Sequence, residues 1–289
     1  RSPKGVFRII GPLTLRANTQ LFGVGKTNIA VLAAHASWQP AATPGVLVQT
    51  VDDPAATCYL GSLDLQVPDR NLYEHPFTFL HWRAGAASMT FDLRAQCGIW
   101  LNRPRFDPTR IAPYVCTRFD GAGGGRHYFF GHFEQQFTSS TNPVDGAGYR
   151  SVVIDRTSQP LWFYGFNNEG GKTDRRTTDV EITGARHIVM LGHKREGGAP
   201  MLTLRDCRDV ALLGGGAMRE SPVERTGAAG AAYVEIAGIC SRVLVAGVLV
   251  QQILDGAGGF TLRETAAAGA AGPFPLGVTL FQRGEFDWS

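Results

Sequence analysis

Residues 151–170 read SVVIDRTSQPLWFYGFNNEG, and the phrase returns at 180–198 (VEITGARHIVMLGHKREGG), 202–218 (LTLRDCRDVALLGGGAM) and 234–251 (VEIAGICSRVLVAGVLVQ). Each copy is a short β-branched run, a polar turn, a second apolar run and a glycine: Gly165, Gly192, Gly214 and Gly247. The glycines are 27, 22 and 33 residues apart. An uneven period in the twenties, made of strand and turn signals with no helical periodicity, predicts the stacked coils of a parallel β-solenoid whose loops vary in length on one side.

Working outward, the alternation agrees. Val180, Ile182 and Ile188, and then Val234 and Ile236, occupy inward positions, while Glu181, Thr183 and Glu235 face the other way. Cys207 and Cys240 fall at nearly the same place in their phrases, which reads as a stacked pair of small core residues and not as metal ligands.

The phrase TSQPLWFYGFNNE at 157–169, followed by VEI, an apolar run, glycine and HKREG, resembles the coils of pectin-lyase-like right-handed parallel β-helix proteins. That group contains many glycoside hydrolases and polysaccharide lyases. The resemblance implies an all-β, right-handed parallel β-helix, a polysaccharide partner, and secretion or a periplasmic location. It is specific for the fold and leaves the reaction open, because one fold hosts many chemistries.

Bulk properties narrow the classes. The 289 residues are 44% hydrophobic and 18% charged, enough for a sizeable core in one domain. A net charge of +3 with scattered basic residues does not argue for nucleic acid. No apolar run approaches the length of a membrane-spanning helix. The chain opens on RSPKGVFRII, close to a first strand, which suggests that a leader or N-terminal portion is missing.

The expected plan is one β-helix domain over 1–289, with an irregular excursion at about 101–150 and a C-terminal cap at about 251–289. An end coil needs such a cap because its open edge would otherwise pair with other chains. Oligomeric state is not legible. Among five cysteines without CxxC spacing, Cys97 and Cys116 are candidates for a disulfide across a loop, and a fully reduced set is the alternative.

Two glycine motifs are excluded. GVGKT at 23–27 has Gln20 where a phosphate loop needs its first glycine. The glycines at 121, 123, 124 and 125 end on Arg126, so no dinucleotide fingerprint forms. His127, His132 and Glu134 match no strong metal-ligand spacing and are expected on a surface loop; no metal or cofactor is expected. Asp52 and Asp53 read as a capped turn, with a pair of catalytic acids as the alternative.

Aligning the coils on their glycines selects the candidate catalytic pair. Glu169 and Glu196 each stand four residues after the glycine of consecutive coils. Strands about 4.8 Å apart would hold two such carboxylates roughly 5–6 Å apart, near the separation in retaining glycosidases. Met218 and Gln251 occupy the same step in the next two coils, so the acidic ladder has two rungs.

Asn167, Lys194 and Arg195 surround the pair as candidates for binding sugar hydroxyls. Trp162, Tyr164 and Trp82 are candidates for stacking on a sugar ring, and His81 and Arg83 share one strand face with it between them. Equally, Trp82 would fill the core and Arg83 would pair with an acid. Three functions follow as expectations: a glycoside hydrolase, a polysaccharide lyase using His193, Lys194 or Arg195 as base on a uronate, and a non-catalytic binding module.

Overall fold

A computed structural model of the chain describes residues 5–31, 45–66, 77–96, 115–133, 138–139, 142–143, 150–169, 178–196, 202–219, 232–252, 260–264, 274–275 and 278–283. The chain alternates between two sheets, returning each time to lie beside the preceding strand of the same sheet. The first holds twelve strands and the second ten, among the described residues. All pairings along both sheets are parallel until the last strands. This is a parallel β-helix, right-handed by the rule that governs nearly all parallel crossovers.

One coil is one strand of the second sheet followed by one of the first. Coil 1 is Leu13–Leu15 with Gln20–Val31; coil 2, Gly45–Thr50 with Tyr59–Gln66; coil 3, Phe77–Trp82 with Met89–Gln96. Coil 4 is Val115–Asp120 with Gly125–Tyr128 and Gly131–Phe133; coil 5, Arg150–Asp155 with Leu161–Tyr164 and Asn167–Glu169. Coil 6 is Val180–Thr183 with Arg186–Glu196; coil 7, Leu202–Arg205 with Arg208–Arg219; coil 8, Ala232–Ala237 with Ser241–Gln252.

Inward residues stack in columns from coil to coil. Ile154, Ile182, Leu204 and Ile236 are successive partners, as are Leu161, Ile188, Val210 and Val243, and all are fully buried. Each such side chain contributes about 1.5–3 kcal/mol through burial.

Within the first sheet coils 2 to 8 bend at one step. Gly165, Gly192, Gly214 and Gly247 take φ of 70°, 64°, 60° and 66° there. This left-handed conformation is open to glycine without the Cβ clash that other residues meet. The glycine of the repeat phrase is therefore the corner of the coil.

The excursion expected over about 101–150 does not extend across 115–133. Those residues form coil 4, paired to coils 3 and 5 in both sheets. Its corner residue is Phe129 (φ 51°) where later coils have glycine, so the phrase was not visible. In the segment expected as a cap, Val278–Arg283 runs antiparallel to Ser241–Gln252, and Phe274–Pro275 antiparallel to Phe260–Glu264.

Candidate functional site

After the corner glycines the chain resumes pairing with Asn167 opposite Lys194, Asn168 opposite Arg195 and Glu169 opposite Glu196. The same column holds Gln66, Gln96 and Phe133 on one side of the glutamates, and Met218 and Gln251 on the other. The two glutamates are thus direct backbone neighbours, flanked by uncharged residues along the helix axis. In-register parallel strands lie about 4.7–4.9 Å apart; the side chains of both glutamates lie outside the described residues. Lys194 is exposed and Asn167 half-buried.

Arg195 departs from expectation. It is 1% exposed and its Nη1 lies 3.0 Å from Asp179 Oδ2, inside the coil stack. Asp179 also accepts hydrogen bonds from the Ser151 hydroxyl and the Asn168 amide. A guanidinium needs a counter-ion and hydrogen-bond acceptors to be buried, and this interior cluster supplies them, so Arg195 is not available to bind sugar. His193 is interior as well, and burial pulls its pKa down to about 4. Of the three basic residues considered for a lyase, Lys194 alone is exposed.

Trp162 and Tyr164 lie on the outer face of the same sheet, alternating with the buried Leu161 and Phe163. The Arg126 guanidinium sits over the Trp162 ring, 4.8 Å from its centroid. Tyr164 stacks on Tyr128 of the preceding coil at 4.8 Å and 10°. Phe91 and Phe129 meet edge to face at 6.0 Å, and are 43% and 63% exposed. Sequence reasoning missed Arg126, Tyr128, Phe91 and Phe129; the alternating run RHYFF at 126–130 was the available signal.

His81, Trp82 and Arg83 belong to the second sheet, or directly follow it, and so lie apart from the glutamates. Trp82 is fully buried and donates its Nε1–H to the Gly124 carbonyl at 2.8 Å. It fills the core, where its ring has no exposed face to offer a sugar. His81 Nε2 lies 2.8 Å from Asp120 Oδ1, and Arg118 bridges Asp120 to Asp155. Burial alone would raise the Asp120 carboxyl, but hydrogen bonds from His81 and Arg118 hold it at about 2.

Arg83 is within 3.7 Å of Asp52, whose Oδ1 also accepts the Ala122 amide. Asp53 accepts the Ala55 amide at 2.8 Å. The aspartate pair therefore caps turns. No group of three metal-ligating side chains occurs among the described residues.

His127 is not on a surface loop. It is fully buried, stacked on Phe163 at 5.0 Å and edge-on to Trp82 and Phe119, and its Nδ1 shares a 2.9 Å hydrogen bond with the Thr90 hydroxyl. Desolvation lowers its pKa to about 3, partly offset by a backbone hydrogen bond. His132 and Glu134 have side chains outside the described residues. Cys116 is disulfide-bonded, whereas Cys58, Cys207 and Cys240 are free buried thiols; Cys97, the expected partner of Cys116, lies outside the described residues.

No helix among the described residues is long and apolar enough to cross a membrane. No protein-family model and no curated protein matches the chain. Among solved structures it is similar to PfbA, a surface adhesin of Streptococcus pneumoniae, at 8% identity and a TM-score of 0.30, over 94% of this chain and 85% of that one. It is also similar to the A-module of the mannuronan C-5 epimerase AlgE6 of Azotobacter vinelandii, at 13% identity and a TM-score of 0.31, over 94% and 87% of the two chains.

Proposed function

We propose that the chain is a carbohydrate-active enzyme that hydrolyses glycosidic bonds of a polysaccharide with Glu169 and Glu196. The observation that carries this reading is their pairing as direct partners on adjacent coils. Two carboxyls about 5–5.5 Å apart suit a retaining mechanism. Mutual repulsion keeps one protonated as the general acid while the other, ionised, attacks the anomeric carbon; water then releases the sugar with the first carboxyl acting as base. Asn167 and the exposed Lys194 flank the pair as partners for sugar hydroxyls and for the ionised carboxylate. The disulfide at Cys116 supports a secreted or periplasmic location, since such bonds persist in oxidising compartments.

The test is reducing-end release from a panel of neutral and uronic polysaccharides, with the ultraviolet absorbance of an unsaturated product followed in parallel. Hydrolysis predicts reducing ends without absorbance, abolished in both Glu169→Gln and Glu196→Gln. Absorbance that survives those changes and disappears in Lys194→Ala would replace hydrolysis by β-elimination.

A further inference from the structure

The corner of coil 4 combines an unfavourable backbone with an exposed aromatic ring. Phe129 holds φ at 51° where the next four coils have glycine, and its ring is 63% exposed. The left-handed region costs an L-residue about 1–2 kcal/mol, and an exposed phenyl ring recovers little of that by burial. Strained non-glycine residues of this kind concentrate at functional sites.

Phe129 is not isolated. Phe22, Gly61, Phe91, Tyr128, Tyr164 and Leu191 are successive partners on the outer face of coils 1 to 6. The Phe22 ring lies over Gly61, where a Cβ would meet it at 2.9 Å. The Phe129 ring covers the Gly165 corner, 3.3 Å from where its Cβ would be, and meets Phe91 edge to face. Beyond coil 5 the column turns aliphatic, with Leu191, Leu213 and Ala246. The rings form a ridge along the helix axis that stops at the coil of Glu169.

We infer that this ridge is a polysaccharide-binding surface, with the glycan lying along the solenoid axis and extending from the glutamate pair towards coil 1 only. The glycan occupant rests on the carbohydrate reading above. The two most exposed rings show about 200 Å² between them, against about 800 Å² per partner in a stable protein interface. A glycan needs less: apolar ring faces, one contact per coil, and polar groups beside them. Arg126 and the tyrosines supply those groups on the same two rows. Substrate would be held on one side of the cleaved bond, with the aliphatic side left free for the departing fragment.

The probes are polygalacturonate, alginate, xylan and hydroxyethylcellulose, each cast into a native gel against the Glu169→Gln chain, with Phe129→Gly, Phe129→Trp and Ile239→Ala added in turn. At least one polymer is expected to retard the parent. Phe129→Gly should weaken that retardation about tenfold, the share of one stacked ring, while Phe129→Trp and Ile239→Ala, the latter changing a residue 86% exposed elsewhere, preserve it. The melting temperature of Phe129→Gly should not fall.

Retardation by none of the four polymers, or equal retardation of Phe129→Gly and its parent, would overturn the proposal. So would a fall in melting temperature, which makes the ring structural, or a parent that elutes as a dimer and becomes a monomer in Phe129→Gly, which makes the occupant a second copy. Reducing-end release by wild type with Phe129→Gly binding unchanged sinks the ridge and leaves hydrolysis standing. Loss of binding in Phe129→Gly with no wild-type cleavage does the reverse.

Discussion

Coils 2 to 4 and coils 5 to 8 solve the same corner with different residues. The later coils place Gly165, Gly192, Gly214 and Gly247 at the bend, while the earlier ones place Ser62, Asp92 and Phe129 there, at φ of 52°, 46° and 51°. The cores differ too. From coil 6 onward the stacked columns are aliphatic, as in Ile182, Leu204 and Ile236, whereas coils 3 to 5 pack Trp82, Phe119, His127, Phe130, Phe163 and Phe166. Backbone geometry repeats where the sequence does not. The contrast is confined to the corner and to the aromatic core, because left-handed non-glycine residues also occur in the later coils, at Arg156, His187, Asp206, Asp209 and Arg242, and the buried Arg195–Asp179 pair lies there too.

Acid should separate the two regions most. His127, among the rings, has its pKa lowered to about 3 and His193 to about 4, both by burial. An unfolded histidine titrates near 6.5, so below that pH the unfolded chain takes up protons that the folded chain does not. Stability is then fully present above pH 6.5 and falls as pH drops, by about 1.4 kcal/mol per pH unit for each histidine. Urea unfolding at pH 6.5 and 4.5 should differ by about 5 kcal/mol for the two together. Amide exchange at pH 4.5 should open coils 3 to 5 before coils 7 and 8; uniform opening would remove the distinction between the halves.

The interior ion pair comes next. Arg195→Met leaves Asp179 buried without its guanidinium, which should cost about 3–5 kcal/mol. Replacing both, as Asp179→Leu with Arg195→Met, should restore much of that loss, because no uncompensated charge remains. If Arg195→Met left the unfolding midpoint unchanged while weakening polysaccharide binding, the arginine would be a ligand after all.

These regions also show what was readable from residues alone. The solenoid was legible from 151–250 because glycine at the corner and β-branched residues inward are one-letter signals of backbone geometry. Coil 4 was not, since Phe129 at a left-handed corner breaks the rule by which corners are found. The backbone register of Glu169 with Glu196 followed from counting after the glycines. The fates of Arg195 and Trp82 did not, because whether a strand position faces in or out is decided by partners such as Asp179 and Gly124, 16 and 42 residues away in sequence. Charge and aromaticity invited an outward reading that burial with a satisfied partner overrode.

Exchanging the corner residues is a more direct test. Gly192→Phe should cost about 1–2 kcal/mol from backbone strain alone, since no atom lies within 4 Å of a Cβ built there. Phe129→Gly should return up to about 1 kcal/mol, relief of the bend offset by the greater entropy of an unfolded glycine. Urea midpoints shifting in opposite directions would confirm that the corner is one structural position in both halves. Equal shifts of one sign would mean that coil 4 turns by other forces.

Asp92→Gly should do least. Asparagine and aspartate tolerate the left-handed region better than other L-residues because their short polar side chains bond locally. The change also gives up only an exposed pair, Asp92 Oδ1 to Arg94 Nε at 3.8 Å, worth little in water. The net effect should therefore stay within about 0.5 kcal/mol. Measured beside Phe129→Gly, this variant calibrates the strain. If glycine gained as much at Asp92 as at Phe129, the penalty would be independent of the side chain, and the exposed ring of coil 4 would need no function to account for it. A gain confined to Phe129 would leave a ring kept against the preference of its own backbone.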